Sequence, residues 1–338
     1  MPDKTLMSRL KINVVGAGIT GLWQALTLAR RGHRVRLIEA STLPFAESAS
    51  RFAGAMLAPY CEAEGAEPVV RELGLQSLAR WRETYPGLID KGTLVVAGVR
   101  DRAELVRFAR MTDGFETLDA EGVDALEPGL DGRFAAGLHY PNEAHMAPLP
   151  AMHFLLDAVR AAGAEVLFGV RWSGERGDAD YVVDCRGLAA RQELPRLRGV
   201  RGERIVVRTS EVRLSRSIRL LHPRQPLYVV PWQDGLFMIG ATVIESEDQG
   251  PATVRSALEL LGAAYALHPA FGEAEIVEVG AGVRPALPDN VPRIIVRGRT
   301  VHVNGLYRHG FLMAPALATL LATYLEEGRL RPDLIEVA

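Results

Sequence analysis

Lysine is almost missing from this chain. It occurs only at positions 4, 11 and 91 among 39 basic residues, which leaves 36 arginines. A GC-rich genome accounts for most of that excess. The sharper reading is that a few of these arginines grip a carboxylate or phosphate through both edges of the guanidinium. Cysteine is equally scarce: Cys61 and Cys185 cannot build a disulfide framework or a metal cluster, and they fit a reducing cytoplasm. No apolar run is long enough to cross a bilayer. The longest, residues 311–325, spans 15 positions and contains Pro315, so no integral membrane segment is expected. Residues 1–10 hold no apolar stretch of the kind a signal peptide needs. Charge of one sign is also lacking. With 39 basic and 41 acidic residues the formal net charge is −2, which gives no field for a polyanion, so no nucleic-acid partner is expected.

What is present is apolar surface. Hydrophobic residues make up 48% of the 338 positions, enough to offset chain entropy and to exclude disorder as the dominant state. The length suits two domains or one large α/β unit.

The most informative stretch is the first forty residues. Residues 12–15 (INVV) read as a strand buried on both faces. They run into Gly16-Ala17-Gly18-Ile19-Thr20-Gly21, then a helical pattern over 22–31 stopped by Gly32, then a second strand over 35–38 ending at Glu39. This is a βαβ unit with GxGxxG at its first turn. The first glycine permits the tight turn, the second lets a pyrophosphate approach the backbone, and the third lets helix and strand pack closely. The helix N-terminus offers N–H groups and a positive dipole end to the diphosphate. Glu39 stands where a carboxylate accepts from ribose hydroxyls, which disfavours a 2′-phosphate and leaves NAD and FAD both open.

Further on, residues 41–50 are a Ser/Ala-rich loop. Helices are predicted over 69–85, 102–111, 152–162, 254–266 and 310–327. Strands are predicted over 92–99, 165–168, 180–184, 204–208, 227–230, 235–242, 275–279 and 300–303. Residues 124–129 read as a turn, and 232–236 as a hairpin turn. The βαβ pattern breaks and resumes, so the expected architecture is α/β, with a Rossmann-like dinucleotide-binding domain interleaved with a mixed α+β domain.

Seven segments in order carry a family resemblance: residues 16–40, 52–59, 182–187, 227–231, 239–242, 281–285 and 305–310, the last running into Ala314-Pro315. On these the chain resembles the D-amino-acid-oxidase-like family of FAD oxidoreductases, most of all its glycine-oxidase group of thiamine biosynthesis. The resemblance implies a discontinuous FAD-binding domain over 8–88, 146–203 and 276–338, and a substrate-binding domain over 89–145 and 204–275. It implies FAD contacts from Gly16, Ala17, Gly18, Gly21, Glu39 and Ala40 at the adenosine diphosphate. Ala49, Ser50, Gly54, Ala55 and Met56 would lie near the isoalloxazine, Val170 at the adenine, and Gly187 at a second crossing of the cofactor. Leu306, Tyr307, Arg308, His309, Gly310, Phe311 and Leu312 would surround the pyrimidine end, where the N-terminus of the 310–327 helix favours the negative charge of reduced flavin.

For the substrate, the resemblance implies Arg284 as the carboxylate grip, with Arg308 a second arginine beside the flavin. Tyr228 would be a hydroxyl donor to the carboxylate, and Glu62 an acid at the entrance. Among the 36 arginines the functional share narrows to Arg284 and Arg308, the others being taken mostly as surface residues. His309 is read as structural. No side chain is assigned a catalytic role, because the flavin performs the chemistry. Three departures bear on substrate identity: Arg308-His309-Gly310 replaces the family's Arg-Asn-Gly, residues 289–295 depart from its Asp-Gly-x-Pro-x-Ile-Gly, and Arg51-Phe52 replaces a small residue. With no cysteine after Cys185, and no histidine at 51–52, the FAD is expected to be bound non-covalently.

The expected activity is cytoplasmic oxidative deamination of glycine or another small amino acid, with O2 as acceptor. Two alternatives stay open: a dehydrogenase passing electrons to a quinone, and a non-catalytic flavoprotein. Members of this group often form homo-oligomers, which leaves that assembly open.

Overall fold

The computed structural model describes residues 9–223 and 226–337. The reading of residues 1–10 as lacking a signal segment therefore falls mostly outside the described residues. In chain order the first strands are β1 (Lys11–Val15), β2 (Arg34–Glu39), β3 (Met56–Leu57), β4 (Thr93–Ala97), β5 (Glu116–Asp119), β6 (Ala136–Tyr140) and β7 (Ala144–His145). They are followed by β8 (Glu165–Phe168), β9 (Tyr181–Asp184), β10 (Arg198–Arg208), β11 (Ser217–Leu221), β12 (Leu227–Pro231) and β13 (Leu236–Gly240). The last are β14 (Glu275–Ala286), β15 (Arg293–Arg297), β16 (Thr300–Asn304) and β17 (Ile335–Val337). The helices are α1 (Ile19–Arg30), α2 (Pro68–Thr84), α3 (Arg102–Met111), α4 (Ala120–Leu126), α5 (Pro148–Ala161), α6 (Val254–Leu267) and α7 (Gly310–Glu327).

The chain forms two compact units. One takes residues up to Arg51, Leu149–Arg198 and Arg284 onward; the other takes Phe52–Pro148 and Gly199–Val283. Residues 52–88, 146–148, 199–203 and 276–283, expected with the first unit, cluster with the second.

The first unit is built on a seven-stranded sheet in the order β17-β15-β16-β9-β1-β2-β8. Its centre is parallel: β1 pairs with β2 and β9, and β9 with β16, all in the same direction. Four of the five residues of β1 are buried, as parallel strands covered on both faces require. Helix α1 packs on α7. Ala25 and Ala29 on α1, and Ala314, Ala318 and Ala322 on α7, are buried and keep the approach close.

At the end of β9, the wholly buried Asp184 carboxylate accepts from the backbone N–H of Arg186 (3.0 Å), from its Nε (2.9 Å) and Nη2 (2.7 Å), and from His302 Nδ1 (3.0 Å). Burial alone would raise its pKa, but the His302 and Arg186 hydrogen bonds outweigh burial and hold it at about 2.

The second unit is built on an eight-stranded sheet in the order β14-β10-β13-β12-β11-β4-β6-β5, with a short β3-β7 ladder beside it. One face is a continuous apolar layer. Ile205, Val207, Ile218, Leu220, Leu227, Val229, Phe237 and Ile239 pack with Leu260, Ala264, Leu267 and Phe271 from α6 and the turn after it.

Several elements differ from the sequence reading. Residues 120–126 are helical rather than part of a turn, because Asp119 caps them by accepting from the Gly122 N–H at 2.9 Å. Strand β14 runs on to Ala286 instead of stopping near 279. β5, β6, β11 and β15 were not anticipated: they are four or five residues long, and charged or small residues interrupt their alternation. The arginines differ too. Arg201, Arg204 and Arg216 are buried, not on the surface. No helix among the described residues is long and apolar enough to cross a membrane.

The Asp184 network gives a signed prediction. The carboxyl has a lower pKa in the folded chain than the ordinary value near 4, so its stabilisation is present above about pH 4 and is lost as pH falls through about 2. Asp184→Asn is expected to cost on the order of 2 kcal/mol at pH 7, with the gap to the parent closing over that acid window. Urea unfolding at a series of pH values measures it.

Candidate functional site

Within the first unit the candidate residues gather at the carboxyl ends of the parallel strands, the edge where open α/β sheets bind ligands. Gly16 and Gly18 follow β1, and Glu39 closes β2. Gly187 follows β9, and Leu306 follows β16. Glu39 bridges two of these turns, its Oε2 accepting from the Ala17 N–H (2.7 Å) and its Oε1 from the Ser41 N–H (3.0 Å). Ser50 Oγ accepts from the Ile19 N–H at 3.2 Å and ties the Ser/Ala-rich loop to the first turn of α1. The Val170 N–H donates to the Glu39 carbonyl (3.0 Å), and Asn304 Nδ2 donates to the Gly187 carbonyl (2.9 Å). The Tyr307 N–H donates to the Pro285 carbonyl (2.8 Å), which draws the loop leading into α7 against the residue after Arg284. Leu306, His309, Phe311 and Leu312 are buried, Arg284 is part-buried, and Ala40, Val170 and Arg308 are exposed.

The three glycines of the motif separate by role. A Cβ on Gly16 would stand 2.7 Å from the Cys185 carbonyl oxygen, at a φ of +96°, and a Cβ on Gly21 would stand 1.7 Å from the Gly16 carbonyl oxygen. The fold itself demands both. A Cβ on Gly18 would meet only the hydroxyls of Ser48 (3.3 Å) and Ser50 (3.5 Å), and its φ of −67° suits any residue. The protein does not need glycine there, whereas a pyrophosphate lying on the backbone does. These residues fit a dinucleotide.

In the second unit the face of the sheet away from α6 carries polar side chains in register. Arg204 pairs with Gly240, Gly240 with Tyr228, and Tyr228 with Arg219, so these four positions form one row across β10, β13, β12 and β11. Tyr228 and Arg219 are the part-buried residues of β12 and β11, the others of both strands being buried. The segment after Phe52 crosses this row: a Cβ on Gly54 would stand 3.1 Å from Tyr228 Cε2 and 2.6 Å from Met238 Cε. Met56 packs on the same cluster, and the Ala55 carbonyl accepts from the Met146 N–H at 3.2 Å. Glu62 lies 3.9 Å from Arg219 Nη1, while Glu64 accepts from Arg219 Nη2 at 2.7 Å. Of the candidates in this unit, Gly54 and Met56 thus lie at Tyr228 and Met238, and Glu62 lies at Arg219, the strand neighbour of Tyr228.

Three residues of this face escaped the sequence reading. Arg219 and Arg204 gain their places only through strand pairing. Glu143, wholly buried, accepts from the N–H groups of Tyr60 (2.9 Å) and Cys61 (2.8 Å) and so fixes the turn that bears Glu62. Burial pushes its carboxyl up to about 7 against those hydrogen bonds.

The family model described as FAD dependent oxidoreductase, DAO, matches residues 11–324. The chain belongs to this family. A relative named as thiamine biosynthesis oxidoreductase ThiO, from Rhizobium etli, is 53% identical over 95% of this chain and 98% of its own length. A bifunctional ThiO/ThiG protein of Synechocystis sp. is 25% identical over 94% of this chain, which spans about half (52%) of it. The crystal structure of glycine oxidase from Geobacillus kaustophilus superposes with a TM-score of 0.79, at 25% identity, over 96% of both chains. As a DAO-family member the chain is an FAD-dependent oxidoreductase, and the dinucleotide that the Gly18 edge admits is FAD.

The glycine geometry is checked by two substitutions. Gly18→Ala is expected to leave the melting temperature of the flavin-free protein close to the parent's and to weaken FAD binding about tenfold or more, read from flavin absorbance after gel filtration. Gly21→Ala is expected to cost more than about 3 kcal/mol of stability or to prevent folding, since backbone rather than a mobile side chain blocks the new methyl.

Proposed function

We propose that the chain oxidises glycine or another small amino acid to the imino acid, with FAD as cofactor and O2 as acceptor, in the supply of the thiazole of thiamine. The observation that carries this reading is the 53% identity, across nearly the full length of both chains, to the relative named for thiamine biosynthesis. The row containing Tyr228 supports it with groups suited to an amino acid.

Bound FAD would take a hydride equivalent from the substrate and deliver the electrons to O2, releasing H2O2. The protein's share is binding and orientation. Arg284 grips both carboxylate oxygens with its planar fork and sets the angle of the α-carbon. Tyr228 donates its hydroxyl to the same carboxylate. Glu62 faces the ammonium end, and Glu143 holds the turn that carries Glu62. Closing out water lowers the amine pKa and favours the neutral form that releases a hydride. Arg308 lies beside the carboxylate when substrate is present. The imino acid leaves and hydrolyses to the 2-oxo acid and ammonia.

The cofactor is held without a covalent bond. Burial pushes both the Cys61 and Cys185 thiols well up, so neither supplies a thiolate for a tether. Scarce, buried cysteines and balanced charge support a cytoplasmic enzyme.

Anaerobic mixing with glycine, sarcosine and both enantiomers of several amino acids tests the substrate class. Bleaching of the flavin by glycine, followed by peroxide on readmitting air, is the expected result. Bleaching by D-alanine far faster than by glycine, or reoxidation by a quinone and not by air, would overturn it. Arg284→Lys is expected to raise KM about tenfold or more and to lower kcat, because a point charge does not fix the carboxylate plane. Unchanged steady-state kinetics would remove Arg284 from the site.

A further inference from the structure

We infer that Phe52 is the wall that limits substrate side-chain size, and that Arg204 positions its ring. The inference rests on the amino-acid reading above and adds the residue that makes the substrate small.

The sheet face that bears Tyr228 is paved by side chains lying over glycines. A Cβ on Gly240 would stand 3.1 Å from Tyr228 Cε2 and 3.5 Å from its Cζ, so the tyrosine ring leans from β12 across β13. Phe52 does the same over β14. A Cβ on Gly280 would stand 2.7 and 2.8 Å from Phe52 Cδ1 and Cε1, and a Cβ on Gly282 would stand 3.0 Å from its Cδ2. One edge of the ring therefore rests on each glycine, and neither position accepts a side chain while the ring is seated. Glycine weakens a strand interior, so two of them spaced by two on β14 mark a place where something must approach the backbone.

The ring is also held from the side. Arg204, only 2% exposed, stands on β10 between the β14 glycines and the row leading to Tyr228. Its guanidinium carbon lies 5.5 Å from the Phe52 ring centre and 5.7 Å from that of Trp232, within cation–π range. Its Nη2 donates to Glu278 Oε2 at 3.0 Å, and Glu278 precedes Gly280 by two on β14. The guanidinium thus joins the Phe52 ring to Glu278 of the strand over which that ring lies.

Phe52 itself is only part-buried, so it borders open space rather than lying in the core. The tyrosine ring reaches over β13, and β14 lies two strands on, about 10 Å away. A ligand held at Tyr228 and extending along the sheet toward β14 meets the phenylalanine ring, with Arg204 seated behind it. Phe52 occurs where the family pattern has a small residue, so the narrowing is a property of this chain.

The test compares the FAD-loaded parent with Phe52→Ala, Phe52→Leu, Gly280→Ala and Arg204→Met. One readout needs no turnover: the dissociation constants of acetate and benzoate, followed by the flavin spectrum. The other is kcat/KM for glycine against D-phenylalanine. In Phe52→Ala the benzoate-to-acetate affinity ratio and the D-phenylalanine-to-glycine ratio are each expected to rise about tenfold or more. Phe52→Leu shifts them less. Gly280→Ala and Arg204→Met, which touch no substrate, shift them in the same direction by unseating the ring. Should Arg204→Met fail to fold, Gly280→Ala carries the positioning half. Phe52 variants with lower melting temperature but parental ratios overturn the wall, and parental ratios in folded Arg204→Met overturn the positioning role. If glycine never bleaches the parent flavin yet benzoate affinity rises in the Phe52 variants, the wall stands and the glycine reading falls.

Discussion

The two-residue period of a β-strand governs the second unit. Each strand that gives a side chain to one face must give its neighbours to the other. On β10, β13, β12 and β11 one set of alternate residues is Ile205, Ile239, Val229 and Ile218, all in the layer under α6. The interleaved set is Arg204, Gly240, Tyr228 and Arg219. The hydrophobic demand of the helix therefore chooses the register, and the register puts two guanidiniums, a phenol and a bare glycine in one line. A slip of one residue would bury the arginines under α6 and expose the aliphatic set. Function on the polar face is secured by packing on the apolar one.

The same logic explains which parts of the protein could be read from the chain. The βαβ start was legible because each of its requirements is local: strand, turn, helix and terminal acid occur within thirty residues, and α7 was placed at its observed bounds. Gly16 and Gly21 can be understood from contacts within that unit and the turn after β9. Arg219 could not be found this way. It sits in a five-residue strand whose alternation it interrupts, and its meaning comes from pairing with Tyr228 and from carboxylates some 155 positions away. Arg308 shows another limit: its loop is legible in the sequence, but which of its side chains pack and which stay exposed, as Arg308 does, depends on contacts outside the loop.

Glycine has two separable uses here. At positions 16 and 21 the backbone is the obstacle, so glycine serves the fold. At 54, 240, 280 and 282 side chains are the main obstacle, so glycine lets rings and a methionine lie close to the sheet. Rings laid flat keep the volume above the sheet free, which a functional face needs and a core does not. Gly18 belongs to neither group, and its remaining reason is a ligand.

The scarcity of lysine takes on a structural meaning at the buried arginines. Arg201 donates through Nε to Glu203 (2.6 Å), through Nη1 to the carbonyls of Asp248 (2.6 Å) and Gly250 (2.9 Å), and through Nη2 to that of Pro251 (2.5 Å). Arg216 donates through Nε to Glu127 (3.0 Å), through Nη1 to the Lys91 carbonyl (2.5 Å), and through Nη2 to the Leu126 carbonyl (3.0 Å). Each uses all three nitrogens of the fork to join segments far apart in sequence. Burying a cation costs several kcal/mol unless its donors are met, and these partners meet them. Lysine carries its three donors on a single atom and cannot span such a fan of acceptors. At these positions the spread of acceptors is what keeps a lysine out.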